Sequence, residues 1–144
     1  MAIDPTERGA NPSSPLLVLV VEDDPTTITL LSRLLDREGC EVTTARNLTE
    51  AAAAMSAVVP DVAVVDVYLG EEDGLTFVRQ LRARDPEIGI MVISAEDTDT
   101  LVRKAIDSGA DNFLSKPIAP AALTLTVRKL GELRQRRRRS DRLR

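Results

Sequence analysis

Four short stretches of this chain end an apolar run on a group that could do chemistry. They are "LVVEDDP", with Glu22, Asp23 and Asp24; "VAVVDVYLG", with Asp66; "IMVIS", with Ser94; and "NFLSKP", with Lys116 and Pro117. Each has a plain structural explanation when taken alone. Asp66 could simply cap the turn after its strand, the acids at 22–24 could complement a helix dipole, and Ser94 and Lys116 could be ordinary surface groups. Taken together they suggest something else. Carboxylates crowded at one place repel, and one of them must take a proton unless a cation joins them. The chain has no histidine and one cysteine, so the matching ion is a hard one bound by oxygen, and Mg²⁺ fits best. A carboxylate, a magnesium ion, a hydroxyl and a lysine are the parts of a phosphoryl-transfer site, with Asp66 as the attacking group.

Such a site requires a scaffold that brings distant strand ends together, and the hydrophobic pattern supplies one. The runs at Leu16 to Val21, Glu41 to Ala45, Val62 to Val67, Ile90 to Ser94 and Asn112 to Ser115 read as strands. The first, third and fourth are too continuously apolar to have a wet face. Helical patterns alternate with them. The first opens at Asp24-Pro25, carries Ile28, Leu31 and Leu35 on one face and stops at Gly39. Asn47 with Glu50 has capping-box spacing for the second; Leu75, Val78 and Leu81 mark the third. The fourth runs from about Thr98, with Leu101, Val102 and Ala105 inward, to Gly109, and the fifth carries Leu123, Val127 and Leu130 from about Pro120. Strict alternation of strand and helix predicts a doubly wound α/β fold with a five-stranded parallel sheet; in strand order 2-1-3-4-5, the order expected here, the first and third strands are neighbours. In such sheets the working groups collect at the carboxyl ends of the strands, beside the point where strand order reverses.

At 144 residues the chain is expected to form one domain. Hydrophobic residues make up 43% and aromatics 2%, so the core must be aliphatic, with Cys40 as a small buried member. Residues 1–15 read as a disordered leader, without a signal-peptide core, and no apolar run is long enough to span a bilayer. A soluble, cytoplasmic protein without membrane contact is the expectation. From Arg128 onward the chain carries nine Lys or Arg against Glu132 and Asp141, so a basic tail follows an acidic body.

The segments "VLVVEDDP", "VVDVYLGEEDGL", "VISA" and "GADNFLSKP" resemble, in order and spacing, the signature segments of the receiver domain of two-component response regulators. The resemblance covers about residues 16–131, and its specificity lies in the joint occurrence of the four segments. It implies the flavodoxin-like receiver fold, with Asp66 as phospho-acceptor for a histidine kinase or histidine phosphotransfer protein. It implies Mg²⁺ held by Asp23 and Asp66, helped by Glu22 and the backbone carbonyl of Tyr68. Ser94 becomes the switch hydroxyl, Phe113 the switch aromatic and Lys116 the phosphate-binding ammonium, with a cis peptide before Pro117. Such a domain is a signalling module that assists its own phosphorylation and dephosphorylation, and it does not itself bind nucleic acid. Phosphorylation changes the face made by the fourth helix, fifth strand and fifth helix, through which a homodimer could form. Three positions depart from the common pattern: Gly70 stands where proline is frequent, Ser94 where threonine is, and Phe113 where tyrosine is.

Other functions remain open on the sequence. A haloacid-dehalogenase-like phosphatase also uses an Asp at a strand end with Mg²⁺, but it wants a second Asp where this chain has Tyr68. A flavin or dinucleotide binder needs a phosphate-cradling loop after the first strand, where "EDDPTT" offers negative charge instead. A pseudo-receiver would act as an unphosphorylated scaffold. Glu71, Glu72 and Asp73 read as a solvated loop, and "RQRRRR" at 134–139 as a solvated helix end or a binding surface. Residues 132–144 are accordingly expected to be a basic helical extension or linker, leading to an output domain if the native chain is longer.

Overall fold

The computed structural model describes residues 14–142, so all of the expected leader except Ser14 and Pro15 lies outside the described residues. Five strands alternate with five helices: β1 Leu17–Val21, α1 Pro25–Arg37, β2 Glu41–Ala45, α2 Leu48–Ala57, β3 Val62–Asp66, α3 Gly74–Arg84, β4 Gly89–Ser94, α4 Asp99–Ser108, β5 Asn112–Ser115 and α5 Pro120–Arg142. All strands of the sheet are parallel, in the order β2-β1-β3-β4-β5. The fold is the doubly wound, flavodoxin-like α/β fold that the alternation predicts.

The first four helices start where a side chain provides a cap. Asp24 accepts a bond from the Thr27 N–H at the start of α1, Asn47 from the Glu50 N–H at α2, and Thr98 from the Leu101 N–H at α4. Two aliphatic layers then hold the helices to the sheet. On one face Leu31 and Leu35 of α1 meet Leu123 and Val127 of α5 over Val18, Val20, Val64 and Ile93. On the other, α2, α3 and α4 bring Met55, Leu75, Val78, Leu81 and Leu101 against Leu19, Val65 and Val92. Burying one such aliphatic side chain stabilises the fold by about 1.5–3 kcal/mol. Cys40 is buried at the edge of the first layer, and burial pushes its thiol pKa upward.

Two expectations need correction. The acidic stretch after β3 is structured: Tyr68–Leu69 pairs antiparallel with Glu72–Asp73 in a small hairpin, and Asp73 caps α3. The arginine run is not uniformly solvated either. Arg134 is buried, because it falls on the stripe that Leu123, Val127 and Leu130 begin, while Leu133 faces outward. The helix passes through position 131 without a break. Among the described residues, no helix is long and apolar enough to cross a membrane.

Candidate functional site

Register decides what meets at the carboxyl edge of the sheet. Val21 lies beside Val65, so Glu22 and Asp66 emerge next to each other; Asp66 lies beside Ile93, and Ser94 beside Ser115. Lys116 therefore leaves β5 one residue beyond Ser115 and can reach back across β4. Its Nζ lies 2.7 Å from Asp66 Oδ2, and 3.0 and 3.2 Å from the two oxygens of Glu22. The peptide bond between Lys116 and Pro117 is cis.

Glu22, Asp23 and Asp66 each offer a carboxylate oxygen within 4.8 Å of the others, with Glu22 and Asp66 buried and Asp23 exposed. Burial, then the neighbouring Asp66, pushes the Glu22 carboxyl up to about 8, against the opposing pull of Lys116. Burial also pulls the Lys116 ammonium down, but its bonds to Asp66 and Glu22 outweigh that and leave its pKa raised. The cluster thus has more carboxylate than the single lysine can compensate. Asp24, by contrast, turns its side chain to Thr27 and serves as a helix cap.

Loop backbone completes the site. Tyr68 donates its N–H to Asp66 Oδ1 at 3.1 Å, and Gly70 donates to Asp23 Oδ2 at 2.9 Å. Gly70 has φ +61°, a left-handed backbone that proline, fixed near −65°, cannot adopt. The Tyr68 hydroxyl bonds the Glu96 carboxylate, joining the loop after β3 to the loop after β4. That bond raises the tyrosine pKa. Ser94 is fully buried and accepts the Glu96 N–H at 3.1 Å. Phe113 is half-buried against the core layer on the α2, α3 and α4 side.

Sequence reasoning missed Gly74. A Cβ there would lie 1.9 Å from the carbonyl oxygen of Asp66, so the first turn of α3 is packed directly on the backbone of the acid. The available signal was the Asp-Gly pair opening a helical pattern. Also missed was a second charge cluster at the opposite edge of the sheet. There Arg134 binds Asp85, with N–O distances of 3.0 and 2.8 Å, and reaches Asp61 at 3.7 Å.

Fold and site together define a flavodoxin-like α/β protein with an acidic centre and one lysine at the switch point of its sheet. Comparison with known proteins makes the class specific. The family model for the response regulator receiver domain matches residues 18–128, and the chain belongs to that family of two-component signalling domains. It is 30% identical over 116 residues to the transcriptional regulatory protein CssR of Bacillus subtilis, covering 81% of this chain and 51% of the relative. The chain thus spans about half the length of that relative. Among solved structures, the receiver domain of NtrX from Brucella abortus is similar at 29% identity and TM-score 0.75, covering 80% of this chain and 98% of that one. The beryllofluoride-activated NtrC4 receiver domain dimer is similar at 31% identity and TM-score 0.76, covering 82% and 98%. Membership of the receiver family displaces the phosphatase and flavin-binding alternatives.

Proposed function

We propose that this receiver takes a phosphoryl group onto Asp66 from the phosphohistidine of a sensor kinase or histidine phosphotransfer protein. One observation carries the reading: a buried carboxylate held 2.7 Å from a lysine ammonium, with two further carboxylates beside it. The donor set suits Mg²⁺, because every side-chain ligand is a hard oxygen and the negative charge exceeds what Lys116 supplies. Glu22, Asp23, Asp66 and the backbone carbonyl of Tyr68 would hold the ion. When bound, it lets the carboxylates ionise together and neutralises charge on the phosphoryl oxygens.

The chain's own groups do the rest. An oxygen of Asp66 forms the new P–O bond as the donor's P–N bond breaks; the electron pair leaves with the imidazole, which takes a proton from water. Lys116 faces the transferred group and offsets its charge. Ser94, whose oxygen now accepts the Glu96 N–H, would turn and shift to donate its O–H to the phosphoryl oxygens. Its movement opens space for Phe113 to turn inward, altering the face made by α4, β5 and α5. That face is a self-association surface in the activated state, and in a longer protein it controls an output domain.

Incubation with a small phosphodonor and Mg²⁺, followed by intact-mass measurement, tests the reading. Wild type should gain one phosphoryl group and Asp66→Asn none, while Asp61→Asn, at the other end of the same strand, should still be labelled. Equal labelling in chelator would overturn the mechanism, and no labelling of wild type under any condition would point to an unphosphorylated scaffold.

A further inference from the structure

We infer that Arg136 to Arg139, held away from the body on the end of α5, form a nucleic-acid-binding arm that enters a duplex groove and binds phosphates on both walls. The receiver body takes no part in it, and the inference does not rest on phosphorylation of Asp66.

The arm is anchored. α5 runs from Pro120 to Arg142, roughly 35 Å at 1.5 Å per residue. Leu123 and Val127 fix its first half to the sheet, and Arg134 fixes the middle, with 5% of its surface exposed and its guanidinium on Asp85 and Asp61. Gln135 adds bonds to Asp61 and to the Ser14 carbonyl, both at 3.5 Å. Beyond this clamp the packing ends: Arg136, Arg137 and Arg138 are exposed and Arg139 half-exposed. The charges therefore stand on a helix of fixed direction, and less conformational entropy is lost when a ligand binds them.

Their arrangement points to the kind of ligand. Among the described residues, no ion pair involves Arg136 to Arg139. Successive helical residues advance by about 100°, so four in a row surround the axis. A flat acidic protein face, including that of a second copy, could touch only one side of such a ring. The major groove of a duplex is wide enough for a helix and has phosphates on both walls. Every basic residue after Lys129 is arginine, whose planar fork matches phosphate oxygens two at a time. Like charges three apart, as at Arg136 and Arg139, weaken an isolated helix, and a polyanion removes that penalty.

Location also favours it. The arm leaves from the sheet edge where Asp61 and Asp85 lie, whereas Glu22, Asp23 and Asp66 gather at the opposite edge. One five-residue strand separates the two edges, about 17 Å. That is roughly twice the screening length in physiological salt, so the acidic pole does not repel a duplex lying on the arm.

The test is fluorescence anisotropy of a short labelled DNA duplex titrated with the full chain across a range of salt. The variant replaces Arg136, Arg137, Arg138 and Arg139 by glutamine, a good helix former at exposed positions. Far-UV circular dichroism and thermal unfolding report whether that variant is folded. Wild type should show a log–log salt slope of about −3 to −4, from about 0.9 per phosphate contacted. The variant should bind about tenfold or more weakly at low salt, with a flatter slope. Polyglutamate and phosphatidylserine vesicles, at equal charge, should compete poorly. Unchanged duplex binding by the variant would overturn the proposal. So would equal competition by polyglutamate or vesicles, which would make the partner an acidic protein face or a lipid surface. Salt-sensitive self-association without duplex binding, seen by sedimentation, would assign the arm to a second copy and overturn it as well.

Discussion

Asp61 and Asp66 flank one strand, β3; both are 4% exposed, and each is paired with a cation contributed by a later part of the chain. Their surroundings differ in what they leave unsatisfied. At the Asp61 end, two carboxylates share one guanidinium, which bonds Asp85 directly while its buried Nε, 3.7 Å from Asp61, makes no hydrogen bond. The N–H of Leu17 bonds Asp61 at 2.9 Å, and those of Glu87 and Ile88 bond Asp85 at 3.0 and 3.1 Å. Burial works to raise the Asp85 pKa, but Arg134 and these N–H groups outweigh it and hold the carboxyl below its ordinary value. At the Asp66 end, three carboxylates crowd one ammonium, and Glu22 is pushed the other way. The same residue type lies where cations and N–H groups offset its charge at one end, and at the other where three carboxylates share one ammonium and the proposed chemistry would take place.

The largest test of that contrast is Arg134→Met. It leaves Asp61 and Asp85 without their cation, and unfolding in urea should show a loss of about 3–5 kcal/mol. Lys116→Met should lose less, because Glu22 can answer by keeping its proton. Equal losses would mean that the two ends do not differ in the way described.

A smaller effect separates the ends by ion. Mg²⁺ at ten times its dissociation constant should stabilise the native state by about 1.4 kcal/mol. Asp66→Asn should lose most of that gain and Asp61→Asn should keep it. If both variants respond to Mg²⁺ equally, the cation is bound elsewhere.

The two ends should also respond to pH with opposite sign. The Asp85 carboxyl lies below its ordinary 3.8 in the folded state, so its stabilising effect is present above about 4 and is lost as pH falls through the folded value. The gap in stability between wild type and Asp85→Asn should therefore close under acid. Glu22, raised from 4.5 to about 8, binds its proton more tightly when folded. In chelator its contribution is full below 4.5 and fades as pH rises through about 8, so Glu22→Gln should flatten the alkaline decline. Parallel pH profiles for the two variants would remove the distinction.

The smallest expected effect concerns the loops over Asp66. The Tyr68 ring is tied by its hydroxyl to Glu96 and lies two residues beyond Asp66, where it would shield a phosphorylated Asp66 from water. Decay of the phosphorylated form should quicken a few-fold in Tyr68→Asn, and an unchanged rate would show that the ring does not guard the site.

Much of this was legible in the sequence. Continuous apolar runs and 3.6-residue periodicity are local properties, and they marked the five strands and five helices; the strand order came with the resemblance to receiver domains. Polar groups at the ends of buried strands pointed to the acid cluster and Lys116, although Lys116 and Asp66 are 50 residues apart. Arg134 was half legible: its period put it on the buried stripe, but an arginine within an arginine run reads as solvated. Its acceptance inside depends on Asp85, 49 residues away, and on Asp61. No local pattern encodes that meeting, because it follows from which helix face is laid over which sheet edge. The hairpin at Tyr68–Asp73, the Tyr68–Glu96 bond and the requirement for glycine at Gly74 have the same origin. Sequence periodicity determined the elements and the groups at their ends; only packing decided which charges would be satisfied and which would remain free to react, since desolvation and pairing are properties of the assembled fold.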